Sequence, residues 1–90
     1  MNKQLHAIVH GRVQGVSFRY YTLIMAQQLK LVGWVRNRLD GAVETVAEGE
    51  ETALNEFERF LHKGSPAANV TEIYVEWQAA TGDFDSFAIR

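Results

Sequence analysis

Val32-Gly33-Trp34-Val35-Arg36-Asn37-Arg38-Leu39-Asp40-Gly41-Ala42-Val43-Glu44-Thr45-Val46-Ala47-Glu48 reads as two extended segments meeting at an Asp-Gly pair. That dipeptide favours a two-residue hairpin turn, because both central residues of such a turn take positive φ. The expectation is a strand over 32–39 and a returning strand over 42–48, ended by Gly49. Outward from the hairpin, each side carries a helical pattern. Upstream, Phe18, Tyr21, Thr22, Met25 and Leu29 recur at helical spacing over 18–31, with no Gly or Pro. Lys30 would fall in the last turn, at the negative end of the helix dipole. Downstream, 50–63 opens on Glu50 and Glu51 and closes on His62 and Lys63, which suits the dipole at both ends, and Gly64 fits the C′ position. Ala53, Leu54, Phe57, Phe60 and Leu61 form its buried stripe.

Beyond the helices the pattern returns to alternation. Over 5–13, Leu5, Ala7, Val9 and Val13 share one side, opposite His6, His10 and Arg12. Ser65-Pro66 marks a loop, and over 70–78 Ile73, Val75 and Trp77 face inward. Residues 87–90 add a short edge strand. The order strand, helix, strand, strand, helix, strand is the split βαβ or ferredoxin-like pattern: an α+β sandwich with two helices on one face of an antiparallel sheet. That architecture hosts many activities, so function has to come from particular residues.

The 90 residues suffice for a single domain, 1–90, and not for two. With no cysteine, a disulfide scaffold, a thiolate metal site and a cysteine nucleophile are all excluded. No stretch approaches the ~18 consecutive apolar residues of a membrane span. Met1-Asn2-Lys3-Gln4-Leu5-His6 lacks the apolar run of a signal peptide, so a cytoplasmic address is expected. The net charge of −2 hides an asymmetry. Residues 1–39 carry six basic side chains and no acid, whereas 40–90 hold all 11 acids against three basic residues. Such a division suggests an anion site on an otherwise acidic body.

Gly11-Arg12-Val13-Gln14-Gly15-Val16-Ser17-Phe18-Arg19 joins the first strand to the first helix. A first helical turn exposes N–H groups without internal partners, and with the dipole they favour an anion. Gly15 permits positive φ and close backbone approach. Arg19 stands in the first turn, where a cation is repelled unless an anion lies between it and the amides. Its guanidinium fork matches phosphate oxygens. The same loop also reads as an ordinary turn followed by a solvated arginine, and it is not a Walker A motif. In the second strand, Val35, Asn37 and Leu39 share the face toward the helices, with Arg36 and Arg38 outward. An amide between apolar neighbours is costly unless hydrogen-bonded. Asn37 either ties down a loop or presents its carbonyl to a water and its amide to an oxyanion.

At this point the chain resembles the acylphosphatases over nearly its whole length. The family loop G-x-V-Q-G-V-x-F-R stands here as Gly11 to Arg19, and the block G-W/N-V-R-N followed by D-G-x-V-E stands as Gly33 to Asn37 and Asp40 to Glu44. Thr22, Ala26 and Gly49 suit the pattern too. Lys30 departs from it, since many members have glycine before the second strand. The resemblance implies a ferredoxin-like fold and hydrolysis of small acyl phosphates to carboxylate and inorganic phosphate, without metal or cofactor. It maps the catalytic pair onto Arg19 and Asn37 and the phosphate cradle onto the backbone of Gly15, Val16, Ser17, Phe18 and Arg19. Inorganic phosphate is then product and competitor, and a monomer is expected.

Other candidates are weaker. His6 and His10 share a strand face with Cα atoms ~13 Å apart at ~3.3 Å per residue, too far to chelate one metal. Ser17 is not in a Gly-x-Ser-x-Gly elbow and reads as a helix-start residue. Trp34 and Trp77 read as packing residues. An RNA-binding ferredoxin-like module would stack bases on sheet aromatics. The third strand has no aromatic, and Glu44 and Glu48 would repel a phosphate backbone, so no nucleic-acid partner is expected. A non-catalytic acyl-phosphate-binding module remains the other alternative.

Overall fold

Leu5, Ala7 and Val9 alternate along the first strand, β1 (Asn2–Arg12), and are fully buried, while His6, Ile8 and His10 take the opposite face. The computed structural model describes residues 2–90; Met1, at the head of the amino-terminal stretch, lies outside the described residues. The elements that follow are α1 (Phe18–Gln28), β2 (Val32–Asn37), β3 (Val43–Glu50), α2 (Glu51–Lys63), β4 (Asn69–Ala79) and β5 (Phe87–Ile89).

The strand order is β4-β1-β3-β2-β5. β1 runs antiparallel to β3 and β4, and β2 antiparallel to β3, as the expected sandwich requires. β5 joins the β2 edge in parallel and makes the sheet mixed rather than purely antiparallel. Its direction follows from where the chain arrives. Ala79, Lys3, Gly49, Glu48 and Val32 all meet at one end of the sheet, so a chain leaving β4 there reaches the start of β2 and can only run alongside it.

Both helices cover the face that carries Leu5, Ala7, Val9, Val35, Val43 and Ala47. From α2, Leu54, Phe57 and Leu61 are fully buried in this core, each worth about 1.5–3 kcal/mol. α1 differs from its expected periodicity. Its buried face runs through Phe18, Thr22 and Ala26, and Tyr21 is exposed. Small residues let the helix lie close to the sheet, and the Thr22 hydroxyl is satisfied by donating to the Phe18 carbonyl at 2.8 Å. Met25 and Leu29 pack at the margin of the core.

Three boundaries also move. α1 stops at Gln28, so Lys30 is not in its last turn. Instead Lys30 takes φ 59°, with Leu31 N–H donating to the Ala26 carbonyl at 2.8 Å and Lys30 N–H to that of Gln27 at 3.1 Å. This is a Schellman ending, whose left-handed position glycine normally fills. β3 continues through Gly49 to Glu50, because pairing with β1 persists to Asn2. The hairpin turn spans Leu39, Asp40 and Gly41, with Arg38 N–H donating to the Ala42 carbonyl at 2.8 Å. Only Gly41, at φ 93°, is left-handed. Asp40 Oδ1 accepts the Ala42 N–H at 3.1 Å, which braces a type I turn followed by a left-handed glycine. As a result β2 ends at Asn37, and Leu39 points fully into solvent rather than toward the helices.

Candidate active site

β1 delivers the chain into the loop over residues 13–17, and the loop's conformation is set by alternating handedness. Gly15 (φ 73°) and Ser17 (φ 62°) are left-handed, with Val16 between them. Alternation of this kind curls successive N–H groups into an anion-binding concavity. Ser17 is the N-cap of α1 in left-handed geometry, and its side chain makes no capping bond. The first helical amide to find an acceptor is that of Tyr21, which donates to the Ser17 carbonyl at 3.1 Å. Ahead of it, the N–H groups of Phe18, Arg19 and Tyr20 have no intrahelical partner.

Two braces hold this loop. Gln14 Nε2 donates to the carbonyls of Arg38 at 2.7 Å and Ala42 at 2.9 Å, tying the loop to the turn after Asn37. The buried Ser65 hydroxyl donates to the Val16 carbonyl at 2.5 Å. Sequence reasoning missed both as supporting residues. Gln14 sits inside the quoted loop motif, a signal that was available, whereas Ser65 showed only as a loop marker beside Pro66.

Arg19, partly buried, donates through Nη1 to the backbone oxygen of Arg90 at 3.2 Å. Among the described residues it belongs to no ion pair with an Asp or Glu side chain, unlike Arg36, Arg38 and Arg59. Asn37 ends β2 on the helix-side face that Val35 shares. Its Oδ1 is buried and has no hydrogen-bond partner among the described residues.

Val13, Gly15, Ser17, Phe18, Arg19, Tyr20, Asn37 and Ile89 line one hollow of about 190 Å³. Arg19 and Asn37 therefore share a wall space, as do Gly15, Ser17 and Phe18 of the expected cradle. The Val16 side chain is buried elsewhere, so only its backbone can take part. The hollow is smaller than the ~300–1,000 Å³ of pockets that enclose drug-sized ligands. It can hold a compact anionic head group, contacted by amides and a guanidinium, with the rest of the molecule outside. A hollow of about 340 Å³ lies at the other end of β1, between Asn2, Lys3, Glu51, Trp77, Gln78 and Ala79. Glu51, the first residue of α2, stands on its wall and brings a carboxylate to that helix start, and among the described residues it has no unpartnered buried polar atom.

The surrounding carboxylates are committed to other partners. Burial opposes ionisation of Glu44, but hydrogen bonds from His6 (2.6 Å) and Arg36 (2.6 and 2.9 Å) outweigh it and hold the carboxyl below its ordinary range. Asp40 is held low by the Ala42 N–H first and by Arg38 second. Neither lines the hollow. Among the described residues no three His, Asp or Glu side chains gather as a metal site. His6 pairs with Glu44, and His10 packs edge-on to Tyr74 at 5.6 Å. The guanidiniums of Arg36 (5.3 Å) and Arg90 (4.9 Å) both stand over the Trp34 ring, which a stacked base would need.

The family description "Acylphosphatase" matches residues 5–89. The chain is 49% identical to the acylphosphatase of Bacillus licheniformis over 86 residues, 96% of either chain. It is similar to the crystal structure of acylphosphatase from Bacillus subtilis, with a TM-score of 0.94 at 45% identity over 98% of both chains. An acylphosphatase from Coxiella burnetii gives a TM-score of 0.92 at 36% identity, covering 99% of this chain and 93% of that one. With a family match running from β1 to β5, and with the same fold in relatives of similar length, the chain belongs to the acylphosphatase family of hydrolases.

Proposed function

We propose that the hollow between the loop and the end of β2 binds the phosphoryl group of a small acyl phosphate, with Arg19 and Asn37 as its catalytic residues. The backbone of Gly15, Val16, Ser17, Phe18 and Arg19 forms the cradle. Phosphoryl transfer needs positioning and charge stabilisation more than covalent chemistry, and a carboxylate is a good leaving group. The loop amides and the Arg19 guanidinium hold the phosphoryl oxygens as negative charge develops on them. Asn37 Oδ1 accepts a hydrogen bond from water and aims it at phosphorus in line with the leaving carboxylate. The water oxygen bonds to phosphorus, the bond from phosphorus to the acyl oxygen breaks, and carboxylate and inorganic phosphate leave. No histidine or carboxylate is among the side chains that line the hollow, so the water's proton passes to a phosphoryl oxygen of the substrate.

The observation that carries this reading is that Asn37, whose buried Oδ1 has no partner among the described residues, lines the same hollow as Arg19, which pairs with no described Asp or Glu side chain. The reading requires no metal or cofactor and takes inorganic phosphate as a competitor. It places a monomeric enzyme in the cytoplasm, consistent with the lack of any described helix long and apolar enough to cross a membrane. The test is release of phosphate from acetyl phosphate in the presence of a chelator. Wild type should turn over, and Arg19→Ala should lose about 100-fold or more, by analogy with removing an oxyanion donor. Equal rates in the two proteins would contradict the assignment.

A further inference from the structure

We propose that Ser65, in the loop after α2, is a positioning residue that fixes the direction of the Ser17 N–H in the anion cradle; this rests on reading the hollow as a phosphate site. Ser65 is 2% exposed, and its hydroxyl donates to the Val16 carbonyl at 2.5 Å across 49 residues of sequence. In a trans peptide, the carbonyl of one residue and the N–H of the next point in opposite directions within one plane. Holding the Val16 carbonyl toward the interior therefore turns the Ser17 N–H away from it, to the side where Ser17 lines the hollow.

The hold is needed because the local backbone works against it. Ser17 is not glycine, yet it sits at φ 62° and ψ 22°. A side chain makes that region unfavourable. Rotating the plane between Val16 and Ser17 by half a turn would return Ser17 to negative φ and relieve the strain, and it would also swing the N–H out of the cradle. The N-cap side chain offers no competing restraint, since Ser17 makes no capping bond. Ser65 thus selects the anion-competent of two peptide orientations. It touches neither substrate nor reacting atoms and acts only through the loop.

The experiment measures inorganic phosphate binding by calorimetry, and KM and kcat for acetyl phosphate, in wild type, Ser65→Ala, Ser65→Cys and the double variant Ser65→Ala/Ser17→Gly. Ser65→Ala should weaken phosphate binding about tenfold, the scale seen when an outer partner of a ligating group is removed. KM should rise more than kcat falls. Cysteine keeps the volume with a poor donor and should behave like alanine, so it carries the test if the alanine variant is unfolded at the assay temperature. Glycine at position 17 adopts positive φ freely and should restore most of the lost affinity. A role confined to stability would lower the melting temperature, leave phosphate affinity unchanged and show no rescue by glycine, and that result overturns the proposal. Failure of wild type to bind phosphate would remove the reading of the hollow as well. Wild-type binding with unaltered affinity in both Ser65 variants would remove this inference alone.

Discussion

A buried carbonyl oxygen without a hydrogen bond costs about 1–3 kcal/mol, and Asn37 Oδ1, in a residue that shares a hollow with Arg19, has no protein partner among the described residues. Groups kept at such expense commonly serve function over stability. Asn37→Ala is therefore expected to lower kcat by about 100-fold with a smaller effect on KM, while its melting temperature stays level or rises. Normal turnover in that variant would remove Asn37 from the mechanism. Lys30 is the opposite case, a strained residue away from the hollow. Lys30→Gly should stabilise the protein by about 0.5–1 kcal/mol, the left-handed penalty less the extra chain entropy of glycine, as read from denaturant midpoints. At this scale Arg19 and Asn37 stand out in the sequence as candidates, because a cation at a helix start and an amide on an inward face each break a local rule. Ser65 does not, since its hydroxyl breaks none and its partner is 49 residues away.

Among the elements, the connection from β4 to β5 is held by a carboxylate that reaches it from β3. Glu48 is 2% exposed and accepts hydrogen bonds from Gln4 Nε2 (2.6 Å), Thr81 N–H (2.9 Å), Thr81 Oγ1 (2.9 Å) and Gly82 N–H (3.1 Å). Burial raises its pKa, but these donors outweigh burial and leave it below the ordinary glutamate value. The folded form then binds fewer protons than the unfolded one near that value. The stability Glu48 contributes is fully present above the unfolded pKa of about 4.3 and is lost as pH falls below it toward the folded value. Glu44, also lowered, adds in the same direction. Melting temperature should therefore drop on acidification below about pH 4.3, and Glu48→Gln should flatten part of that drop. An acid limb as steep in the variant as in wild type would contradict this. The number, kind and order of the helices and four main strands were legible from periodicity. The buried face of α1 was not, because Tyr21, Met25 and Leu29 share its helical spacing with Thr22 and Ala26, and only the packed sheet decides between them. The parallel course of β5 was not legible either, because it depends on where the sheet's strand ends converge.

Across the whole molecule, the basic first part of the chain supplies Arg19, and the acidic remainder spends its carboxylates on Arg36, His6 and the connection before β5. That division leaves the hollow positive and without a carboxylate base. The rate should then vary little with pH near neutrality, apart from titration of the substrate. His10→Ala should leave the profile unchanged, since His10 packs against Tyr74 on the open face of the sheet. A steep neutral inflection that disappears in His10→Ala would restore a general base to the scheme. The overall charge pattern points toward an anion site, but placing Gly15, Ser17, Arg19 and Asn37 around one space required the folded chain. The most direct measurement is an amide and arginine side-chain NMR titration with inorganic phosphate. Saturable shifts should gather on the N–H groups of residues 15–19, on Arg19 Nε and on the Asn37 side-chain amide, with a dissociation constant equal to the competitive inhibition constant of phosphate. Shifts gathered instead at Lys3, Trp77 and Gln78, or absent from Arg19 and the loop, would contradict the account.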